Sequence, residues 1–260
     1  MTIGAMILAA GRGERMRPLT DTVPKPLLEV AGRPLIAWQI EALARAGFRD
    51  IVINAAHLAD CLVAALGDGA ALGVRLSWSI EPEALETAGG IATAAPLLPP
   101  GPALIVSGDI WTAFDYATLR ARATTMASDA TLPRVHLVMV PNPPYHPRGD
   151  FMLAASATAP GAPATAPGRI GMPASDPDAP DCLTFGNIGL YDTALFRELP
   201  RGVKLELLPF FHRWIAAGQV SGELYTGPWV NVGTPGDLAA LDARVRTRTG
   251  NLAIATTTRP

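Results

Sequence analysis

The stretch whose residue types are best suited to chemistry is LAAGRGERMRPLT, at residues 8–20. An apolar run ends there in small residues and opens into a loop that contains Gly11 and Gly13. Glycines let backbone N–H groups approach phosphate oxygens without obstruction by side chains. The same loop contributes three guanidinium groups, which can each bind a phosphate through two parallel hydrogen bonds. They belong to Arg12, Arg15 and Arg17. The pattern predicts a loop that binds the phosphates of a nucleotide.

A lysine follows this loop in a stiff segment. Lys25 lies between Pro24 and Pro26, and each proline restricts the backbone beside it. Such a segment can present an ammonium group to phosphates from a fixed position. The dinucleotide fingerprint G-x-G-x-x-G is not matched, because Met16 occupies its last position.

A carboxylate occupies a second position of interest. Asp109 follows the apolar run at residues 103–106, where a predicted strand ends. In α/β sheets ligands bind at the carboxyl ends of strands, and a carboxylate there suits a hard cation that bridges phosphates. We therefore predict that Asp109 is a ligand of Mg²⁺.

The elements that must position these residues follow from an alternation of apolar runs and amphipathic stretches. Short apolar runs between helices are typical of a mostly parallel sheet that is buried on both faces. We expect an α/β fold with a doubly wound, mostly parallel, Rossmann-like sheet. Strands are predicted at residues 3–9, 51–54, 74–80, 103–106, 134–140, 183–191, 220–225 and 229–232. Helices are predicted at residues 35–46, 58–66, 205–217 and 235–246, with a short one after Gly90.

Composition changes sharply at residues 154–180, which are rich in Ala, Pro and Gly and poor in large apolar residues. A segment of this kind offers little surface for a core, so we predict a long surface loop there. We expect one domain over residues 1–246 and a frayed tail over residues 247–260. Deletion of residues 158–177 is then expected to leave the fold largely intact.

Charge and composition exclude several classes of function. The chain of 260 residues has a formal net charge of -2 and no cluster of Lys and Arg, which argues against a nucleic-acid partner. Cys61 and Cys182 are far apart and suggest neither a disulfide framework nor a zinc site. No apolar window reaches the roughly 18 residues of a membrane-spanning helix. We expect a soluble, cytoplasmic protein with small-molecule partners.

The motif at residues 8–20 together with Pro-Lys-Pro closely resembles the signature of the sugar-1-phosphate nucleotidyltransferases. Within that family, the stretches at residues 85–90, 149–151 and 229–234 look most like the N-acetylmuramate-1-phosphate uridylyltransferases. The family commonly has a second metal-binding Asp in a Trp-x-Asp-x-Gly-Thr context, but here Asn231 occupies that place. An amide oxygen can still bind Mg²⁺, with one negative charge fewer.

The resemblance also implies roles for individual residues. Arg15 and Lys25 are implied to be catalytic, with Arg15 holding the phosphates that leave. The implied nucleotide-binding residues are Leu8, Ala9, Ala10, Gly11, Arg12, Gly13, Lys25, Gly89 and Gly90, the last two at a helix entry. A small β subregion is implied to bind the sugar through Glu86, Ser107, Arg148, Gly149, Asp150 and Asn187. The implied metal ligands are Asp109 and Asn231.

The activity implied by the resemblance is uridylyl transfer from UTP to N-acetylmuramate-1-phosphate, with Mg²⁺ as cofactor, in the salvage of cell-wall sugars. The attacking phosphate oxygen is already ionised at neutral pH, so no general base is needed, and none is evident among the residues. Two alternatives stay open: guanylyl transfer from GTP to mannose-1-phosphate, and a catalytically silent domain that senses nucleotide sugars. The oligomeric state is expected to be a monomer or a homodimer.

Overall fold

A computed structural model describes residues 2–154, 167–173 and 182–257, and for residues 248–257 it describes the backbone alone. The strands are β1 (Gly4–Leu8), β2 (Glu29–Val30), β3 (Arg33–Pro34), β4 (Asp50–Ala55), β5 (Arg75–Ile80), β6 (Pro102–Ser107), β7 (Ile110–Thr112), β8 (Val135–Val140), β9 (Met152–Ala154), β10 (Gly168–Gly171), β11 (Thr184–Asp192), β12 (Val220–Leu224) and β13 (Trp229–Asn231). The α-helices are α1 (Leu35–Arg45), α2 (Ala59–Leu66), α3 (Glu86–Ala94), α4 (Tyr116–Ser128), α5 (Ala194–Arg197), α6 (Leu208–Ala216) and α7 (Pro235–Thr257). Within these described ranges, no helix is both long and apolar enough to cross a membrane.

The central sheet has nine strands in the order β5-β4-β1-β6-β11-β8-β12-β10-β9. Strands β5, β4, β1 and β6 are parallel to one another. Strand β11 lies antiparallel between β6 and β8, and β12 is parallel to β8. The sheet is therefore mixed but mostly parallel, and the predicted fold class is confirmed.

Helices cover both faces of this sheet because its strands are apolar on both sides. Along β1, Ala5 and Ile7 pack into one core with apolar residues of α1, α2 and α4. Met6, which points the other way, packs into a second core with residues of α3, α5 and α6. Alternation of side chains across a strand produces this division. The carboxyl ends of the parallel strands are thus fixed from both sides.

A third, smaller apolar cluster anchors the loop that follows β1. Met16 is fully buried in it, together with Val232 and residues of α7 such as Leu241 and Val245. The loop also forms short 3-10 turns at Glu14–Met16 and Leu19–Asp21. The segment predicted to bind phosphates is therefore packed against the last helix rather than free in solvent.

One sequence prediction about the second half of the chain is wrong. Residues 154–180 are not one loop, because β10 pairs with both β9 and β12 in the central sheet. The backbone of α7 continues to Thr257, and fraying of the tail stays a prediction. The rest of the predicted loop, residues 155–166 and 174–181, and residues 258–260 lie outside the described residues. The predicted domain bounds stay a prediction.

Strand β10 gives a test of stability. Ile170 is only 5% exposed and packs in the second core. We expect Ile170→Ala to lower the free energy of unfolding by about 2–4 kcal/mol, the usual cost of a cavity in a core. Exposed Arg169, beside it on the same strand, provides the control, since Arg169→Ala should cost far less. Equal losses in urea unfolding would show that β10 does not pack as described. Deletion of residues 158–177 removes β10, so, contrary to the expectation from sequence, it should destabilise the protein.

Candidate active site

The carboxyl ends of β1, β4 and β6 open onto a cavity of about 370 Å³. This volume is in the range of small-molecule sites. Many of the residues predicted from sequence to bind substrates line this cavity together. They are Leu8, Ala9, Ala10, Gly11, Arg12, Lys25, Glu86, Ser107, Asp109 and Asn187.

Lys25 and Asp109 form the charged centre of the cavity. The Lys25 ammonium donates a hydrogen bond to Asp109 Oδ2 at 2.6 Å, and the lysine is 8% exposed. The Ser107 hydroxyl donates to the other carboxylate oxygen, Oδ1, at 2.5 Å. Ser107, predicted to contact the sugar, thus contacts Asp109 in this structure. A buried, paired ammonium is held in a fixed geometry, which suits the binding of anionic phosphates.

Asn231 lies beside Asp109 although the two are far apart in sequence. Strand β13 pairs with β7 so that Asn231 is opposite Ile110, and the Val232 N–H donates to the Asp109 carbonyl at 2.9 Å. Among the described residues, Asn231 Oδ1 is a buried oxygen without a hydrogen-bond partner. A buried, unpaired oxygen is costly unless a ligand satisfies it. Asn231 does not line the main cavity but a second one, of about 270 Å³.

This donor set fits Mg²⁺. The described residues contain no group of three or more His, Cys, Asp and Glu side chains that could hold a metal. Mg²⁺, however, typically takes one or two protein oxygens and completes its shell with water and substrate phosphates. A carboxylate at Asp109 and an orphaned amide oxygen at Asn231 meet that requirement.

Arg15 and Gly13, although predicted as site residues, do not line the main cavity. A Cβ on Gly233 would lie 3.6 Å from Arg15 Cζ, which puts this guanidinium close to the chain that follows Asn231. Burial, together with the charges of Asp237 and Asp109, raises the pKa of the Tyr145 phenol, and Arg15 lowers it. Gly13 has φ of 69°, and a Cβ there would meet Lys25 at 3.2 Å. Gly13 therefore lets the loop pack against Lys25.

Glu86 and Asn187 reach the cavity through unusual backbone conformations. Their φ angles are 61° and 57°, values that non-glycine residues seldom adopt. The pairing of β11 with β8 is irregular between Phe185 and Gly189, so Asn187 lies in a bulge. Strained residues of this kind cluster at functional sites because the surrounding structure holds them there.

Gly89 and Gly90 do not begin a helix, so that part of the prediction is wrong. They lie within α3, which starts at Glu86. A Cβ on Gly89 would lie 2.2 Å from the Val203 carbonyl oxygen, and one on Gly90 would lie 2.7 Å from Asn54 Nδ2. Close packing therefore explains why both positions are glycine. Neither residue lines the main cavity. Their contact with the base stays a prediction.

The segment with Arg148, Gly149 and Asp150 does not line the main cavity, but it is hydrogen-bonded to Phe185, which does. Asp150 Oδ2 accepts from the Phe185 N–H at 2.8 Å, and Oδ1 lies 3.0 Å from His146 Nε2. Gly149 has φ of 61° and packs closely on the Cys182 carbonyl. Arg148 is exposed. Both carboxylate oxygens of Asp150 are thus engaged within the protein, while Arg148 faces solvent.

Sequence reasoning missed the buried polar pair of Asn54 and Glu81. Asn54 is 3% exposed, Glu81 is 2% exposed, and Asn54 Nδ2 donates to Glu81 Oε1 at 2.7 Å. Burial raises the pKa of the Glu81 carboxyl, against the lowering effect of hydrogen bonds from Asn54 and the Leu85 N–H. Only the positions gave a signal, since Asn54 lies near the end of β4 and Glu81 directly follows β5, much as Asp109 follows β6.

Comparison with known proteins assigns this arrangement to a class. Residues 4–144 match the family model described as nucleotidyl transferase, and the chain belongs to this family. It is 44% identical over 231 residues to the N-acetylmuramate alpha-1-phosphate uridylyltransferase of Neisseria meningitidis serogroup B. The aligned part is 88% of this chain and 93% of that relative. The enzyme of the same name from Caulobacter vibrioides is 33% identical over 93% of this chain and 96% of its own length. Among solved structures, a Bacillus anthracis protein described as a glucose-1-phosphate thymidylyltransferase shares the fold, with a TM-score of 0.75 over 94% of this chain and 96% of that one, at 21% identity.

Proposed function

We propose that this chain transfers a uridylyl group from UTP to N-acetylmuramate-1-phosphate, which gives UDP-N-acetylmuramate and pyrophosphate in the salvage of cell-wall sugars. The observation that carries the proposal is the similarity to the Neisseria meningitidis enzyme over nearly the full length of both proteins. The cavity supports it, because it combines a glycine-bearing loop with the Lys25 ammonium.

The chemistry requires positioning and charge more than acid-base groups. An oxygen of the sugar phosphate attacks the α-phosphorus of UTP in line, and pyrophosphate leaves from the opposite side. In this proposal, Lys25 binds the reacting phosphates and Arg15 binds the departing β- and γ-phosphates. Fixed positive charges of this kind stabilise the charge that develops in the transition state.

Asp109 and Asn231 are proposed to hold Mg²⁺. When bound, the ion supplies positive charge that neutralises the phosphate oxygens during transfer. The carboxylate of Asp109 and the unpaired Oδ1 of Asn231 are suited to it, as argued above. We further propose that the enzyme is cytoplasmic. We also propose that it is a monomer or a homodimer, and sedimentation of the purified protein tests this oligomeric state.

Arg148 is proposed to select the sugar. N-acetylmuramate has an ionised lactyl carboxylate that N-acetylglucosamine lacks, and an exposed guanidinium beside Gly149 can pair with it. We expect Arg148→Ala to reduce the preference for N-acetylmuramate-1-phosphate over N-acetylglucosamine-1-phosphate about tenfold to a hundredfold in kcat/KM. The control is Arg75→Ala, because Arg75 is exposed at the start of β5, where each parallel strand is farthest from the site. Equal loss on both sugars would assign Arg148 another role.

The experiment that tests the proposed function is a matrix of pyrophosphate release. Purified protein is incubated with Mg²⁺ and each of the four nucleoside triphosphates against N-acetylmuramate-, N-acetylglucosamine- and mannose-1-phosphate. We expect the highest kcat/KM for UTP with N-acetylmuramate-1-phosphate. Preference for GTP with mannose-1-phosphate would replace the proposed substrates, and silence across the whole matrix would favour the nucleotide-sugar sensor.

A further inference from the structure

A chain of three buried hydrogen bonds joins the root of the phosphate loop to the start of α3. Asn54 Oδ1 accepts from the Ala9 N–H at 2.9 Å. Asn54 Nδ2 donates to Glu81 Oε1 at 2.7 Å, and Glu81 Oε2 accepts from the Leu85 N–H at 3.1 Å. Ala9 lines the cavity, and Leu85 directly precedes the cavity residue Glu86. The network therefore connects two segments that line the cavity, and Asn54 within it lines the cavity as well.

The bond to Ala9 extends the sheet by one position. Backbone pairing of β1 with β4 reaches Leu8 and Asn54 and goes no further. The side chain of Asn54 then takes the place of backbone as the acceptor for Ala9. On the other side, the Gly108 N–H donates to the Leu8 carbonyl at 2.9 Å. The first peptide of the loop is held from both sides, which fixes the position from which the loop starts.

Glu81 determines which way the Asn54 amide points. The Ala9 N–H requires an acceptor, and the Glu81 carboxylate offers only acceptors, so Oδ1 and Nδ2 each have one compatible partner. Gly90 leaves space for the pair, since a Cβ there would lie 3.0 Å from Glu81 Oε1. Glu81 is 2% exposed and does not line the cavity, so it acts only through Asn54 and Leu85.

We propose that Glu81 is a positioning residue for nucleoside triphosphate binding, because it orients Asn54 and through Asn54 fixes the Ala9 peptide at the root of the phosphate loop. The inference rests on the proposed use of this cavity for a nucleoside triphosphate. It assigns Glu81 no contact with substrate.

Reversal of the donor and acceptor pattern gives a sharp test. In Glu81→Gln, an amide NH₂ must face either Asn54 Nδ2 or the Leu85 N–H, and both are donors. In Asn54→Asp, two carboxylates face each other across the bond. The double variant Asn54→Asp/Glu81→Gln restores all three bonds. Its new carboxylate accepts from Ala9 and from the new glutamine amide, whose oxygen accepts from Leu85. It also restores the net charge of the pair.

The experiment measures binding of UTP, ATP, CTP and GTP by calorimetry, together with hydrogen exchange of the Ala9 amide by NMR. Each single variant should bind UTP about tenfold to a hundredfold more weakly, the effect of one mismatched buried hydrogen bond. The Ala9 amide should lose protection, and KM for UTP should rise while KM for the sugar phosphate stays within about threefold. The double variant should return both UTP affinity and Ala9 protection to near the wild-type values.

The control is Tyr116→Phe, which removes a buried hydrogen bond to Gln39 away from this network. It should lower the melting temperature and leave UTP affinity unchanged. If a single variant does not fold, recovery of both the fold and UTP binding in the double variant still supports the inference. A double variant that is no better than the worse single variant overturns it. A wild-type protein that binds another nucleotide instead of UTP overturns the proposed function, while Ala9 protection still decides this inference.

Discussion

Replacement of Lys25 by alanine is expected to lower turnover by at least about a hundredfold. The lysine is 8% exposed and its ammonium is already fixed at 2.6 Å from Asp109, so its charge is in place before substrate binds. Loss of one such preorganised charge removes stabilisation that is specific to the transition state. Steady-state kinetics with UTP and N-acetylmuramate-1-phosphate measure the effect. Arg15→Ala is expected to act in the same direction.

The chain offers a close control, because it contains only two lysines, Lys25 and Lys204. Lys204 also pairs with a carboxylate, Glu83, but its side chain is 55% exposed. Lys204→Ala should leave turnover and melting temperature nearly unchanged, since exposed ion pairs contribute little. Near-normal turnover in Lys25→Ala, at an unchanged melting temperature, would refute the role proposed for the lysine.

The second large effect concerns the metal. Activity should disappear with a chelator and return with Mg²⁺, and Asp109→Ala should lower turnover at least about a hundredfold, because it removes the only carboxylate of the proposed pair. Asn231→Asp should instead lower the Mg²⁺ concentration that gives half-maximal activity, since a second negative charge strengthens the site. The measurement is a Mg²⁺ titration of activity for each variant, joined by direct binding of Mn²⁺.

Asn231→Ala separates metal binding from folding. The buried Oδ1 of Asn231 has no hydrogen-bond partner among the described residues, so its removal breaks no bond at that oxygen. Stability should be retained while Mg²⁺ affinity falls. Full activity of Asp109→Ala, or an unchanged Mg²⁺ requirement in both Asn231 variants, would contradict the assignment of these ligands.

The parts of the fold that depend on local sequence could be predicted. The apolar run of β1, the glycine-bearing loop after it and Asp109 at the end of β6 each carry their signal within a few residues. The loop and Asp109 lie close together because the carboxyl ends of parallel strands lie at the same edge of the sheet. The predicted strand at 103–106 and the observed β6 (Pro102–Ser107) illustrate this agreement.

Features that depend on distant partners could not be predicted in the same way. Strand β10 has only four residues, and its place in the sheet comes from pairing with β12, which lies far along the chain. Gly89 and Gly90 suggest a helix entry by their type, but packing against Val203 and Asn54 explains them inside α3. The Asn54 and Glu81 pair exists only because β4 and β5 are neighbours, and no local spacing encodes it.

The most direct test of the central claim is ³¹P NMR of a reaction with UTP, N-acetylmuramate-1-phosphate and Mg²⁺. Uridylyl transfer predicts that the α-phosphorus of UTP appears in a diphosphate linked to the sugar, together with an equal amount of pyrophosphate. Lys25→Ala should form both products far more slowly, and Lys204→Ala should form them at the wild-type rate. Release of orthophosphate with UDP, or unchanged UTP beside intact N-acetylmuramate-1-phosphate, would contradict the proposed reaction.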